Sequence, residues 1–323
     1  MRLIELANKV LNGEELTYAE GVEIINTSDE DTMLLIALAD KIRQKYHGDA
    51  VDLCSIVNAR SGRCPENCSF CAQSAFHKTG IAEHELLKEE ELLEAARKTK
   101  QAGVNRFSIV TSGRGMGKKD DFQRILTVLK RIKEELDMKV CASLGILTFE
   151  EAQALAAVGV TRYHANVETS KSHFPNICTT HTYADKMFTI DNAKKAGIAV
   201  CSGGIMGLGE TREQRVEMAF DLKAMGITSI PLNILHPVPG TKLEAMQDLE
   251  PLEILRAFAM FRFVLPKATI RTAGGRERNL RDLQAMALSG GLNGMLVGGY
   301  LTTGGRVPAD DMQMIADLKR TAQ

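Results

Sequence analysis

The chain has 323 residues, 44% hydrophobic and 25% charged, with a formal net charge of -1. That composition can bury a large core, and the even mixing of acids and bases leaves no basic stripe for nucleic acid and no cationic patch for a membrane surface. With no tryptophan, charges throughout the opening MRLIELANKVLNGEELTY and no long apolar run, the expected location is cytoplasmic, where seven cysteines serve metal binding, catalysis or burial rather than disulfides.

Residues 1–50 read as an N-terminal helical extension. Apolar positions recur at helical spacing in LIELANKVL and in DEDTMLLIALADKIRQKY, the latter with Ser28 and Asp29 as expected caps. From 51 to 323 short β-branched runs alternate with amphipathic stretches. VDLCSIVNA precedes KEEELLEAARKTKQAG, RFSIVTS precedes DDFQRILTVLKRIKEEL, and KVCASLG precedes TFEEAQALAAVG. TRYHANVET leads to ADKMFTIDNAKKAG, AVCSGGIMG to TREQRVEMAFDLKAMG, and SIPLNIL to EPLEILRAFAMFRFVL. TIRTAGG with NLRDLQAMALSGG and GMLVGGY with DDMQMIADLKRTA complete eight units. Gly103, Gly159, Gly197 and Gly226 stand at helix ends, where a left-handed cap is wanted. Eight strand-then-helix units predict an α/β fold, a (β/α)8 TIM-type barrel in a single domain, with an open doubly wound sheet as the alternative; in a barrel, chemistry sits at the C-terminal ends of the strands.

NARSGRCPENCSFCAQS, directly after the first strand, packs Cys64, Cys68 and Cys71 into eight residues. Structural zinc wants four ligands in closed tetrahedral geometry, and only His77 is near enough to be the fourth; three unrelated buried thiols are the other plain reading. A [4Fe-4S] cluster on three thiolates fits better, because it leaves one iron open for a ligand.

CxxxCxxC in this place, with Phe70 before the third cysteine, resembles the radical S-adenosylmethionine superfamily. That resemblance implies that the open iron chelates S-adenosylmethionine and that one electron releases a 5'-deoxyadenosyl radical. GGIMGLGE resembles the superfamily's GxIxGxxE segment, which implies cofactor contacts at Gly204, Ile205 and Gly207. YHANVETS puts Asn166 and Glu168 two apart on the expected fourth strand, hence on one face.

The other four cysteines are Cys54, Cys141 and Cys201 in expected strands and Cys178 in a loop; Arg271 is a charged residue in an apolar strand. With NICTTHTY, PLNIL and IRTAGGRE, these motifs resemble the biotin synthase family from about residue 40 onward. The resemblance implies dethiobiotin as substrate, an auxiliary iron-sulfur cluster as sulfur donor, and two successive hydrogen abstractions. It implies that Cys64, Cys68 and Cys71 hold the first cluster, that Asn166 and Glu168 contact S-adenosylmethionine or substrate, that Asn233 contacts dethiobiotin, and that Cys141, Cys201 and Arg271 hold the auxiliary cluster. A flavodoxin or ferredoxin reductant and a homodimer follow from the same resemblance, and neither nucleic acid nor membrane is an expected partner. The family's second-strand cysteine is Ser108 here, a poor replacement for a soft thiolate. The expectation is therefore an auxiliary cluster larger than [2Fe-2S] on four thiolates, Cys54, Cys141, Cys178 and Cys201, with Arg271 as ligand or neighbour. His181 stands where many relatives carry arginine near the cofactor carboxylate, which leaves His181, Lys186 and Arg212 as candidate anchors. Another radical enzyme, such as a hydrogenase maturase, and an iron-sulfur electron-transfer or sensor protein are the alternatives.

Overall fold

A computed structural model of the chain describes residues 2–323. Helices α1 (Arg2–Leu11), α2 (Tyr18–Ile25) and α3 (Thr32–His47) precede the barrel. The third starts later than Ser28 and Asp29 suggested: Asp31 is its cap residue, and the Ser28 hydroxyl instead accepts from the Asp31 N–H at 3.3 Å.

Then follow β1 (Ala50–Arg60), α4 (Glu89–Gln101), β2 (Arg106–Thr111), α5 (Lys119–Leu136), β3 (Lys139–Ser143), α6 (Phe149–Ala157) and β4 (Arg162–His164). Next are α7 (Phe174–Ile177), α8 (Tyr183–Lys195), β5 (Ala199–Cys201), β6 (Gly204–Met206), α9 (Arg212–Ala224), β7 (Ser229–Ile234) and α10 (Pro251–Val264). The chain ends with β8 (Thr269–Thr272), α11 (Arg276–Leu280), α12 (Gln284–Ser289), β9 (Gly294–Leu296), α13 (Pro308–Asp317) and β10 (Thr321–Ala322). Several helices open with a reciprocal capping box, as at Thr148 with Glu151, Thr182 with Asp185 and Thr211 with Gln214.

All strand pairings are parallel in the order β1-β2-β3-β4-β5-β7-β8-β9, and β9 pairs back onto β1, so the sheet closes into the expected barrel. β5 and β6 share one barrel position. The expected continuous strand AVCSGGIMG breaks at Ser202 and Gly203, where a Cβ on Gly203 would lie 1.9 Å from the Pro231 carbonyl oxygen. The helix of the seventh strand-helix unit is also broken, into α11 and α12, at Arg281, whose φ of 50° is left-handed. Helix α10 is buried on nearly every side because α2 and α3 cover its outer face, which explains why apolar residues run all round it, with Arg256 and Arg262 buried against bonded partners. Among the described residues no helix is long and apolar enough to cross a membrane.

Side chains alternate along each strand, and one parity faces the barrel axis. Cys54 and Ile56, Arg106, Ser108 and Val110, Cys141 and Ser143, Arg162 and His164, and Pro231 and Asn233 are such sets, and all line one axial cavity.

Candidate active site in the barrel

The cavity has a volume of about 430 Å³ and runs from the loops that follow the strands down to the strand starts. Its upper rim is built by the three-cysteine loop after β1. Cys64 is held at both ends, its N–H donating to Gln73 O at 2.9 Å and its carbonyl accepting from Ala75 N at 2.8 Å. Cys64, Phe70 and Cys71 line the cavity. Burial pushes the Cys64 thiol up, and pushes Cys71 up to about 11, where the charges of Cys64 and Glu168 add to it. His77 does not join the thiols; its Nδ1 lies 2.9 Å from the Cys71 carbonyl oxygen.

Cys178 is found here rather than with the strand cysteines. Its Sγ lies 3.7 Å from Cys68 Sγ, 3.2 Å from His181 Nδ1 and 3.4 Å from Asn67 Oδ1. The hydrogen bond from Cys68 brings the Cys178 thiol down to about 4, and the same bond, with burial, pushes Cys68 up. The ligand atoms of Cys68, Cys178 and His181 lie within 4.8 Å of one another. His181 Nδ1 is also 2.7 Å from Glu66 Oε2, and Arg114 reaches Glu66 Oε1 at 3.0 Å. The His181 Nε2 atom is buried without a partner, on a ring that lines the cavity.

Asn166 and Glu168 lie beyond β4, which is shorter than expected, so the period-two argument does not bring them together. Glu168 has a φ of 69°, and a bridge from Glu168 to Gly204 holds the turn. Both still line the cavity: Asn166 Nδ2 donates to Glu168 Oε2 at 3.3 Å and Asn166 Oδ1 accepts from Gly203 N at 3.1 Å. Lys186 Nζ is 3.8 Å from Glu168 Oε1. Arg212, by contrast, stands off the cavity and bonds Glu253 and Asn26. In GGIMGLGE, Ile205 lines the cavity, whereas Gly204 admits the Glu168 backbone, its Cβ position being 2.5 Å from the Glu168 carbonyl oxygen. Gly207, at φ 96°, donates to Glu210 Oε1 at 2.8 Å, Leu208 N donates to the other oxygen at 2.7 Å, and Arg215 Nε bonds Glu210 at 2.6 Å. The glutamate of that segment thus holds the turn in shape.

Deeper in the barrel, Cys54, Cys141, Cys201 and Arg271 converge. Arg271 Nη1 donates to Cys54 Sγ at 3.2 Å and Arg106 Nη1 to Cys141 Sγ at 3.6 Å. Burial opposes ionisation of Cys201, but Arg271, His164 and Arg162 outweigh it and bring the thiol down to about 6. Burial pushes Cys54 and Cys141 up against the opposing pull of Arg271 and Arg106. Ser108 pairs with Cys141 in register and turns an unpartnered, buried hydroxyl toward the same space. The expected set of four thiols is therefore three, because the loop after β4 folds up to the rim and carries Cys178 with it. Asn233 also lines the cavity; its Oδ1 accepts from Gly274 N at 2.9 Å, and its Nδ2 donates to Gly204 O at 3.3 Å.

Sequence reasoning missed Arg106, Arg162, His164 and Asp52 around these thiols. The inward parity of β2 and β4, with charged residues at strand starts, was the signal for the first three. Arg106 Nε, Arg162 Nη1, Arg271 Nε and the Ser108 hydroxyl, all on residues that line the cavity, are buried without a hydrogen-bond partner. Three soft thiols among orphaned donors fit an anionic iron-sulfur group and not a closed protein core.

The profile of the Radical SAM superfamily matches residues 59–222, and that of the Biotin and Thiamin Synthesis associated domain matches residues 231–321. The chain is 52% identical over 318 residues to the biotin synthase of Carboxydothermus hydrogenoformans, covering 98% of each. It is 50% identical over 315 residues to the biotin synthase of Pelotomaculum thermopropionicum, again over 98% of each. Among solved structures, methylornithine synthase matches with a TM-score of 0.87 at 20% identity, over 98% of this chain and 97% of that one, a likeness of fold.

Proposed function

The chain belongs to the biotin synthase family of radical S-adenosylmethionine enzymes, and on that footing we propose that it inserts sulfur into dethiobiotin to form biotin, with a rim cluster making radicals and a buried cluster giving up sulfur. The radical chemistry of the family uses a [4Fe-4S] cluster and S-adenosylmethionine. The observation that carries the rest is the convergence of Cys54, Cys141, Cys201 and Arg271 at the foot of a cavity whose mouth is the CxxxCxxC loop.

In this reading Cys64, Cys68 and Cys71 hold the cubane, and Cys54, Cys141 and Cys201 hold the auxiliary cluster with Arg271 beside it. When bound, the first supplies the electron that cleaves S-adenosylmethionine and the second supplies sulfur. The chain's own groups do the positioning. Asn166 and Glu168 present an amide and a carboxylate toward cofactor or substrate, and Phe70 and Ile205 add apolar walls. His181 Nε2 and the Lys186 ammonium are the proposed anchors of the cofactor carboxylate. Asn233, already satisfied by backbone on both sides, is a rigid contact for the substrate. Unactivated C–H bonds require a strong abstracting species held at near contact in a site that excludes water, and the apolar stretches of the wall supply that exclusion.

An auxiliary cluster larger than [2Fe-2S] remains part of the proposal, since Ser108 stands where the family's second-strand cysteine is expected. So do a flavodoxin or ferredoxin donor, a homodimer and a cytoplasmic location, which rest on the family resemblance. The division into an extension, 1–50, and one barrel domain, 51–323, is likewise part of the proposal; α2 and α3 pack on α10 and share its core.

The deciding experiment is an anaerobic incubation with dethiobiotin, S-adenosylmethionine and reductant, with biotin assayed and iron and sulfide counted before and after. Biotin formed with loss of sulfide is expected; cleavage of S-adenosylmethionine without biotin sinks the sulfur-insertion reading. Mössbauer spectra showing one cubane plus a [2Fe-2S] centre would sink the larger cluster alone.

A further inference from the structure

The two ends of the cavity differ in chemistry. The loop end carries the groups described above for cofactor and substrate. The strand-start end is ionic: Arg106 opens β2, Arg162 opens β4, and Asp52 and Arg271 are third in β1 and β8. Asp52 ties the three guanidiniums, Arg271 at 2.6 Å, Arg162 at 3.6 Å and Arg106 at 3.9 Å. Among the described residues no other carboxylate pairs with any of the three, so a single carboxylate faces three guanidiniums.

Arg106, Arg162 and Arg271 all line the cavity; Arg106 Nε and Arg271 Nε are buried with no partner, and Arg162 Nη1 is buried with no hydrogen bond, only Asp52 at 3.6 Å; Arg271 is 2% exposed and Arg106 9%. Buried guanidinium donors left unpaired are costly, and a small anion seated among them removes that cost. This end is also reachable from solvent. The Asp52 side chain is 28% exposed and that of Arg162 15%, and the neighbouring strand-start residues Asn105, Lys139, Thr161, Ala199 and Thr228 are exposed. Immediately inside lie the Cys54 and Cys141 sulfurs, each in contact with one of the guanidiniums.

We propose that Arg106, Arg162 and Arg271, tied by Asp52, form an anion inlet at the N-terminal end of the barrel that takes hydrosulfide from solvent to the thiol cage. The proposal rests on the reading that the cage holds the sulfur donor, since hydrosulfide is the small anion such a centre consumes. Uptake as an anion that loses its proton to solvent needs neither oxidant nor reductant. An inlet at this end separates sulfur traffic from the organic ligands, which occupy the other end.

The test has two arms. Crystals of the cluster-free chain soaked in iodide should show anomalous density between Arg106 and Arg162; none there overturns the inlet. In the holoenzyme, isotopically labelled sulfide is followed into the auxiliary centre without reductant, with S-adenosylmethionine and dethiobiotin both bound and the C141A chain as blank. Exchange should persist with both ligands present. It should slow about tenfold in R162Q, the low end of electrostatic steering effects, and speed up in D52N, whereas a merely structural role slows both. Exchange that stops when the organic ligands bind, or that is the same in R162Q, overturns the proposal. A holoenzyme carrying iron only in its first cluster sinks the sulfur-donor reading instead, and the iodide arm then decides the inlet by itself.

Discussion

The sulfurs of Cys68 and Cys178 stand 3.7 Å apart, although the two residues are separated by 110 positions in the chain. The pair joins the rim loop to the loop after α7, and it exists as a free dithiol only when Cys68 is not engaged by a cluster. The cluster-free chain treated with the dithiol oxidant diamide should form a Cys68–Cys178 disulfide, found by peptide mapping under non-reducing conditions. Cluster-loaded protein should not form it, and C178A should lose it. A map in which Cys68 links to Cys64 or Cys71 instead contradicts the geometry.

Removal of the thiols should divide them into two groups by iron content. Cys54→Ala, Cys141→Ala and Cys201→Ala are each expected to lower iron and sulfide while S-adenosylmethionine cleavage survives. Cys178→Ala should keep the iron of the parent chain, because its sulfur is not in the barrel cage. Iron loss in C178A equal to that in C141A would restore the four-thiolate centre.

Anchoring of the cofactor carboxylate is expected to be shared by His181 and Lys186. His181→Ala and Lys186→Met should each weaken S-adenosylmethionine binding roughly tenfold, the scale of one charge-assisted hydrogen bond. Equilibrium binding without reductant reads this directly. Arg212→Met should bind normally, since that guanidinium is committed to Glu253 and Asn26; the reverse ranking rules the assignment out.

Glu210 and Arg215 form a buried pair at 2.6 Å, and Glu210 also holds two backbone N–H groups of the glycine turn. Glu210→Ala frees two buried N–H donors and leaves Arg215 with Glu253 Oε1, at 2.7 Å, as its remaining carboxylate partner, so a loss of about 2–3 kcal/mol in urea unfolding is expected. A loss below about 1 kcal/mol, the range of exposed pairs, would show that the turn is held by other contacts.

Burial, reinforced by the nearby Arg262, pulls His47 down to about 4. The native imidazole is then neutral where the unfolded one, near its ordinary value of 6.5, takes up a proton. Between those values the unfolded state binds more protons, so stability falls as the pH drops from 6.5 toward 4 and is recovered above 6.5. After solvent screening the effect is on the order of 1 kcal/mol. Comparing urea unfolding at acid and neutral pH, His47→Gln should show a smaller difference than the parent chain; an equal difference assigns the acid loss to other groups.

Much of the site was legible before the fold. The spacing of Cys64, Cys68 and Cys71 and their place after the first strand depend on a few adjacent residues, and so does the inward parity that Cys54, Cys141, Cys201 and Arg271 obey. What failed was continuity. The fourth strand ends at His164, so Asn166 and Glu168 reach the cavity through a left-handed turn, and the fifth strand breaks where the Pro231 carbonyl crowds Gly203. Both depend on neighbouring strands that local pattern does not describe.

The eight-unit rhythm, the open three-thiol loop and the strand placement of Cys54, Cys141, Cys201 and Arg271 are written in the chain itself, because period-two alternation and helix capping act over a few residues. Only the tertiary structure decided that Cys178 goes to the rim with Cys68 and that Asp52 gathers Arg106, Arg162 and Arg271 beneath the cage. Those meetings are set by the register of the closed barrel, including the pairing of β1 with β9, and by the path of a loop across the barrel mouth, which bring together residues far apart in the chain, Cys68 and Cys178 by 110 positions.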